Sequence, residues 1–190
     1  MSKPLKLPFD PIARADQLWA RRWGRVPSMA AITSIMRAQQ ILLARCDAVL
    51  KRMDLTFARY EALVLLTFSR AGELPLSKIG QRLMVHPTSV TNTVDRLERS
   101  GYVVRRRNPR DGRGVLAAIT EAGAEVVEKA TAALSDVHFG MGDYDAETCE
   151  RIFWDLRKLR VSAGDFVDPD APDPEDDEDA DEDEDYERYG

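Results

Sequence analysis

The stretch LPLSKIGQRLMVHPTSVTNTVDRLERSGYVVRRRNPRDGRGVLAAITEAG, residues 74–123, contains the pattern that decides the fold. Leu76, Ile79 and Leu83 fall three and four positions apart, which places apolar side chains on one face of a short helix. The MVHP group at 84–87 then interrupts this period. Its proline suits the first position of a new helix, because the missing N–H group would have no intrahelical partner there. We therefore expect two short helices separated by a tight turn.

The second of these helices, residues 87–100, has one apolar and one polar face. Val90, Val94 and Leu97 are spaced to point inward, while the opposite face carries small polar side chains. Glycine readily adopts the left-handed conformation that closes many helices, so Gly101 is expected to end this one.

A basic hairpin is expected after the second helix. Residues 102–105 are rich in β-forming side chains, and residues 115–120 offer a matching partner strand. A turn-forming segment, 108–114, lies between them, and five arginines occur between residues 105 and 113. Two helices followed by a basic hairpin are typical of a winged helix-turn-helix. In that arrangement the second helix enters the major groove of DNA, and the hairpin, or wing, reaches a neighbouring minor groove.

These residues resemble the MarR family of winged-helix transcriptional regulators. The resemblance covers roughly residues 29–159 and is most specific in 74–123. It is carried by VxPxxVT at 85–91, VDRLE at 94–98, SGYV at 100–103, the wing NPRDGR at 108–113 and ITEAG at 119–123. The family's wing arginine, here Arg113 of the Asp111-x-Arg113 motif, typically enters the minor groove. Two positions depart from the family: His86 stands where serine often caps the recognition helix, and Asn92 stands where arginine is common.

We assign DNA contacts to both helices and the wing. The outer face near the start of the recognition helix is expected to contact the bases, where Asn92 can pair with adenine. Phosphate contacts carry much of the affinity but no sequence information, and the main candidates for them are Arg105, Arg106, Arg107 and Arg110. Arg113 is the candidate for a narrow minor groove, and Asp111 is expected to orient the wing, because phosphate repels a carboxylate. The full set of candidate contacts is Ser77, Lys78, Pro87, Thr88, Ser89, Thr91, Asn92, Arg105, Arg106, Arg107, Arg110 and Arg113.

Arg96 and Arg99 lie further along the recognition helix. Because Asp95 and Glu98 are beside them, pairing within the helix or support of the lobe explains these arginines at least as well as phosphate contact.

Charge is distributed very unevenly along the 190 residues. The net charge is −6, but 15 of the 33 acidic residues lie in 165–190 with one arginine, which leaves a balance of +8 in residues 1–164. Within 72–115 there are nine basic and four acidic residues. The folded part is therefore cationic, and its charge is densest around the predicted winged helix.

Residues 164–190 form an acidic segment that we expect to be disordered, because it is too polar to bury a core. Two interpretations remain open. It can act as a solvated tail that aids solubility, or it can mimic nucleic acid and weaken non-specific DNA binding by competing for arginines.

Long amphipathic helices flank the winged-helix lobe. The sequence predicts an N-terminal extension with a short helix, 1–27, and a MarR-like domain, 28–163. Within that domain, 28–53 and 121–163 are expected to be dimerisation helices and 55–120 the DNA-binding lobe. The lobe alone cannot cover these wide apolar stripes, so we predict a two-fold homodimer, and the resemblance implies the same arrangement. The predicted fold class is thus mainly α with a small β-hairpin wing.

The resemblance also implies a small effector, often aromatic or anionic, bound between the dimerisation helices and the winged lobe. Two tryptophans four positions apart in residues 11–23 can cover such a pocket or can simply pack against the dimer. The residues we associate with an effector are Trp19, Trp23, Arg37, Arg45, Phe57 and Tyr60.

Other classes of function are less consistent with the sequence. Only two histidines and two cysteines occur, and the cysteines are 103 positions apart, so we expect no metal site, no cofactor and no enzyme. No apolar run suggests a signal peptide or a membrane span, which predicts a cytoplasmic protein whose main partner is double-stranded DNA. Two alternatives stay open, a thiol-based redox-sensing regulator using Cys46 or Cys149, and a winged-helix module that binds a protein.

Overall fold

The computed structural model describes residues 6–109 and 114–167, which form seven α-helices and three β-strands. The described residues divide between two compact units, with the boundary between Gly142 and Asp143. The helices are α1 (Pro11–Trp23), α2 (Pro27–Leu50), α3 (Phe57–Thr67), α4 (Leu76–Leu83), α5 (Pro87–Arg99), α6 (Glu121–Asp136) and α7 (Ala146–Ser162). The strands are β1 (Glu73–Pro75), β2 (Val103–Arg107) and β3 (Val115–Ile119). The mainly helical fold with a small sheet confirms the predicted fold class.

The long helix α2 ends earlier than its apolar period predicts. It stops at Leu50, and a 3-10 turn, Lys51–Met53, leads to Asp54, whose backbone is left-handed with φ 52°. Thr56 then caps α3 by accepting a hydrogen bond from the backbone N–H of Arg59 at 3.4 Å.

Helices α4 and α5 pack closely and form the helix-turn-helix. Ile79, Val90, Val94 and Leu97 are buried, which confirms the predicted inward faces. A Cβ atom at Gly80 would lie 3.1 Å from Cγ2 of Val90, so glycine at this position lets the helices approach. Gly101, with φ 76°, follows the end of α5, as its sequence position predicts.

The wing belongs to a three-stranded antiparallel sheet with the order β1-β3-β2. Strand β3 lies in the middle, where Ala118 pairs with Glu73 on one side and Val104 on the other. The sequence predicts β2 and β3 but not β1, because three residues that include a proline carry no strand periodicity.

Helix α6 closes the core behind the winged helix. Its first turn is capped by Thr120, whose side chain accepts a hydrogen bond from the N–H of Gly123 at 3.0 Å. Val126, Val127, Ala130 and Leu134 face the core, where side chains of α2 and α3 meet them. The helix ends before a 3-10 turn at His138–Gly140.

In the second unit, α7 is capped by Asp145, whose side chain accepts a hydrogen bond from the N–H of Thr148 at 2.8 Å. Hydrogen bonds from Thr148 lower the pKa of this carboxyl. The helix has no buried residue. Of the helices described in 6–109 and 114–167, none has the length and apolar character needed to cross a membrane.

Candidate nucleic-acid interface

The first two turns of α5 present a polar surface. Pro87, Thr88, Ser89, Thr91 and Asn92 are all exposed. The opposite face is buried in the core, which fixes the direction in which the exposed side chains point. These side chains offer hydroxyl and amide groups of the kind that hydrogen-bond to base edges and phosphates.

An unusual residue caps the start of this helix. His86 accepts a hydrogen bond through Nδ1 from the backbone N–H of Thr88, at 3.3 Å. The imidazole thus takes the place of the short hydroxyl side chain that usually satisfies a free N–H at a helix start. Pro87 at the first helical position completes the start.

Helix α4 contributes two of the predicted contacts. Ser77 and Lys78 lie in its first turn, and both are exposed. Their position on the helix that precedes the recognition helix suits contact with a DNA backbone.

Arg105, in β2, is tied to the recognition helix. Its Nη1 lies 2.5 Å from Oε2 of Glu98, and its Nη2 forms a hydrogen-bonded ion pair with Asp95. Its backbone N–H also donates to Oε1 of Glu98 at 3.2 Å. The sequence groups Arg105 with the phosphate contacts, whereas the structure places its guanidinium against two carboxylates of α5.

The environment of Arg105 strengthens its charged form. Partial burial disfavours the charge, but the hydrogen bonds that the guanidinium donates to Asp95 and Glu98, with the negative charges of these carboxylates, outweigh that effect and raise its pKa. Charge-assisted bonds of this kind hold two elements in a fixed orientation. Arg105 therefore fastens the wing to α5.

The remaining wing arginines differ from Arg105. Arg106 is exposed and lies 3.5 Å from a carboxylate oxygen of Glu73, which is too loose to fix its side chain. Arg107 is exposed at the end of β2 and forms no ion pair with residues in the described part of the chain. Arg110, Asp111 and Arg113 lie outside the described residues.

The two arginines near the end of α5 do not pair with the carboxylates of their own helix, because Arg105 occupies these. Arg99 donates through Nε to the backbone oxygen of Asp95 at 3.3 Å. Arg96 is exposed, and no hydrogen bond or ion pair joins its guanidinium to residues 6–109 or 114–167. Both line an open cleft at the end of the helix.

The six residues associated with an effector are only partly brought together. Trp19 and Trp23 form a ring pair at 4.7 Å on α1, and Phe57 and Tyr60 form another at 6.0 Å on α3. Tyr60 is buried and bonded through its hydroxyl to Oγ1 of Thr131, at 2.9 Å.

The two arginines of that set, Arg37 and Arg45, lie on α2. Arg45 donates to the backbone oxygen of Gly140 at 2.5 Å, so part of its bonding capacity serves the turn after α6. Arg37 is half-buried. The open cleft at the end of α5 is lined by none of the six residues.

The cysteines are free in the structure. Cys46 is buried, and its Sγ lies 3.5 Å from the backbone oxygen of Phe139. Burial raises the pKa of this thiol, and the nearby charges of Asp47 and Glu61 raise it further. Thiolate is the reactive form, so this environment opposes redox sensing at Cys46.

Within the described ranges, no group of three or more histidine, cysteine, aspartate or glutamate side chains could hold a metal ion. The exposed groups described around α5 are polar or cationic, and such groups can bind an anionic polymer.

Several known proteins that are similar to this chain are described as transcriptional regulators. The family profile described as the MarR family matches residues 58–115. An uncharacterised helix-turn-helix transcriptional regulator of Bacillus subtilis, YhbI, is 34% identical over 116 residues, which cover 61% of this chain and 72% of that protein.

Solved structures extend the similarity beyond the matched segment. The crystal structure of Sco5413, a MarR family transcriptional regulator from Streptomyces coelicolor, is 70% identical with a TM-score of 0.71, covering 75% of this chain and 99% of that one. A mutant MarR from E. coli complexed with operator DNA is 25% identical with a TM-score of 0.57, covering 68% of this chain and 95% of that one.

Proposed function

The chain belongs to the MarR family of transcriptional regulators, and we propose that it acts as a sequence-specific, dimeric repressor that binds a pseudo-palindromic DNA site. A transcriptional regulator of this family is not an enzyme. In the proposed complex, α5 lies in the major groove and the wing, residues 105–115, enters the minor groove. The exposed polar start of α5, held by its buried apolar face beside an arginine-rich hairpin, carries this proposal.

Base recognition is assigned to the exposed start of α5. Asn92 can form two hydrogen bonds with an adenine edge, and the methyl groups of Thr88 and Thr91 can contact thymine. Pro87 and Ser89 complete the contact surface. The capping bond at His86 supports this role, because it fixes the first turn from which these side chains project.

Phosphate contacts are assigned to the exposed cations and to α4. Arg106, Arg107 and Lys78 have exposed side chains, and Ser77 can add a hydroxyl donor. Arg110 remains in the proposed set from its sequence position. Arg105 takes a different role: it positions the wing through Asp95 and Glu98.

Arg113 is proposed to enter the minor groove, with Asp111 orienting the wing. Arg113→Ala is expected to weaken operator binding by about 1–3 kcal/mol and to relax the preference for A·T pairs near the wing. Competitive binding to sites that differ only at those pairs measures both effects. Unchanged affinity together with unchanged preference would remove Arg113 from the interface.

Dimerisation is proposed through the terminal helices. Large apolar side chains of α2, such as Ile32 and Met36, are exposed in the single chain, and so are Phe153 and Leu159 of α7. A second copy of the chain is the proposed partner. Single exposed apolar residues are normal on a protein surface, but several large ones on the same helices indicate an interface. Two recognition helices related by a two-fold axis favour half-sites separated by about 10 bp, one helical turn of DNA.

Dimerisation can be tested separately from DNA binding. Met36→Glu introduces a charge on the exposed face of α2 and is expected to shift the mass measured by light scattering from two chains to one. Met84→Glu is the matched control, because Met84 is also exposed but lies in the turn between α4 and α5. A monomeric parent protein would contradict this part of the proposal.

The first experiment on DNA binding is a selection of genomic fragments with purified full-length protein at two salt concentrations, followed by sequencing. An enriched inverted repeat, with affinity that falls steeply as salt rises, is the expected result. Retention without a shared sequence would contradict sequence-specific recognition. If no fragment is retained, the protein-binding alternative replaces the proposal.

A small aromatic or anionic effector is a further part of the proposal. It rests on the resemblance to the family and on the aromatic pairs of α1 and α3. Binding is expected to change the spacing of the two recognition helices and thereby the operator affinity.

The acidic segment, most of which lies outside the described residues, is proposed to compete with DNA for arginines. Removal of residues 165–190 is expected to tighten binding to random DNA more than binding to the operator. Equal affinities for random DNA with and without the segment would contradict this role.

A further inference from the structure

An open cleft of about 380 Å³ lies where the end of α5 meets the turn between α2 and α3. This volume lies in the range of small-molecule sites, about 300–1,000 Å³. Three of its lining residues are arginines, and they come from two helices. The cleft is lined by Asp54, Arg59, Arg96, Arg99, Ser100 and Tyr102.

The arginines retain unused hydrogen-bond donors. Arg59 donates through Nη1 to the backbone oxygen of Asp54 at 2.6 Å and through Nε to Oγ1 of Thr56 at 3.3 Å. Arg99 uses Nε on the backbone oxygen of Asp95. A guanidinium has five N–H donors, so each side chain keeps terminal donors free to bind a ligand. Arg96 makes none of these bonds within the described residues.

Acidic groups do not neutralise this cluster. Asp54 is the one carboxylate that lines the cleft; it accepts from Oγ of Ser100 at 3.0 Å and lies 3.9 Å from Nη1 of Arg59. The nearest carboxylates of α5, on Asp95 and Glu98, are engaged by Arg105 on the wing side. The side chains lining the cleft therefore carry two more positive charges than negative ones.

The helix dipole explains only part of the arrangement. Cations are favoured near the C-terminus of a helix, which accounts for Arg96 and Arg99 on α5. It does not account for Arg59, which belongs to the first turn of α3 and lines the same cleft. Three guanidinium groups around one cleft repel each other unless an anion or solvent screens them.

The cleft lies further along α5 than the proposed base-contacting residues. Arg96 and Arg99 follow Asn92 by four and seven positions, which corresponds to about 6 Å and 10 Å along a helix. The DNA contacts are assigned to the opposite end of α5, so an occupant of the cleft need not be the DNA.

We propose that this cleft binds a small ligand that carries an oxyanion, either a carboxylate or a phosphate group. The guanidinium groups supply paired N–H donors in the geometry that carboxylates and phosphates accept. This site extends the effector part of the proposed function to a place that the aromatic pairs of α1 and α3 do not include.

Binding can be measured without DNA, so failure of this site and failure of DNA recognition are distinguishable. Calorimetric titration of the full-length protein with inorganic phosphate, and separately with acetate, at constant ionic strength identifies which oxyanion is preferred. Saturable binding of at least one probe with one site per chain is expected. The double variant Arg96→Gln, Arg99→Gln is expected to bind that probe about tenfold or more weakly, because two charge-assisted contacts are lost.

Arg70→Gln is the matched control, since Arg70 is exposed and does not line the cleft. It should bind the probe as the parent does. Absence of saturable binding in the parent, or equal affinity in the double variant, would overturn the proposal.

The remaining occupant to exclude is the DNA backbone. The double variant is expected to keep the salt dependence of operator binding. A decrease of about two in the slope of log affinity against log salt would assign Arg96 and Arg99 to DNA phosphates, and the ligand site would be rejected.

Discussion

Nη1 of Arg105 lies 2.5 Å from Oε2 of Glu98, and this ion pair joins the first strand of the wing to the recognition helix. Asp95, one helical turn earlier, engages the other terminal nitrogen of the same guanidinium. The pair has two consequences for DNA binding. It fixes the direction in which the wing leaves α5, and it offsets part of the negative charge of two carboxylates that would otherwise repel phosphate.

Arg105 and Arg107 are expected to respond differently to substitution. Arg107→Gln should lower the slope of log affinity against log salt by about one, because an exposed arginine that contacts phosphate releases counterions. Arg105→Gln should weaken operator binding with little change in that slope, because the guanidinium of Arg105 is paired with Asp95 and Glu98 and does not contact phosphate. Fluorescence anisotropy with labelled operator at four salt concentrations measures both slopes.

Stability provides the control for this comparison. Arg105→Gln is expected to lower the free energy of unfolding by about 1 kcal/mol, a modest value because both carboxylates are substantially exposed to solvent. Arg107→Gln should leave it unchanged. Equal decreases in the salt slope for the two variants would show that Arg105 contacts phosphate and does not act as a positioning residue.

A second pair of variants tests the capping hydrogen bond at His86. His86→Ala removes the acceptor for the N–H of Thr88 and should reduce the free energy of unfolding by about 1 kcal/mol. His86→Ser restores a short capping side chain and should recover most of that loss. Urea denaturation followed by circular dichroism measures the change. If alanine and serine behave alike, the imidazole does not act as a cap.

Position 123 requires glycine, because it lies against the backbone of Tyr102, just before β2. A Cβ atom there would lie 2.1 Å from the backbone oxygen of Tyr102, and a backbone atom cannot move aside as a side chain can. Gly123→Ala is therefore expected to cost about 3 kcal/mol, at the upper end of overpacking effects. Gly142→Ala is the control, because its Cβ atom would meet nothing closer than 3.9 Å. Thermal unfolding that shows equal stability for both variants would contradict the steric argument.

Much of this fold can be predicted from the apolar periodicity of the sequence and from the residues that begin and end its helices. The inward positions of α5 and α6 follow from spacings of three and four, and the helix boundaries follow from Pro87, Gly101 and Thr120. These signals are local, because each depends on a residue and its neighbours within one or two turns. The sequence is therefore sufficient to predict the winged helix and the exposed polar start of α5.

Features that depend on distant pairing are not predictable in the same way. The sequence places Arg105 in a run of similar arginines, and only the closure of β2 against α5 separates it from Arg107. Strand β1 likewise has no signal in the sequence, because it becomes a strand only by pairing with β3. The arginine cleft joins Arg59 of α3 to the end of α5, and no sequence spacing between residues so far apart indicates that they meet.

Cys46 is expected to be protected from modification, in contrast to a redox-sensing cysteine. Burial, followed by the charges of Asp47 and Glu61, raises the pKa of its thiol above the usual range. Cys149→Ser leaves Cys46 as the sole thiol, and its reaction with a disulfide reagent at pH 8 should be about tenfold or more slower in the folded protein than in urea. Equal rates in the two states would instead identify an accessible, reactive cysteine.

The same shift makes a prediction about stability. A thiol whose pKa is raised by folding stabilises the native state fully below the unfolded thiol's pKa, about 8.5, and this contribution is lost as pH rises through the folded value. The free energy of unfolding of the parent should therefore fall more steeply than that of Cys46→Ser when pH increases from about 8 to 10. Parallel curves would mean that the thiol titrates alike in both states, and the main physical objection to redox sensing at Cys46 would disappear.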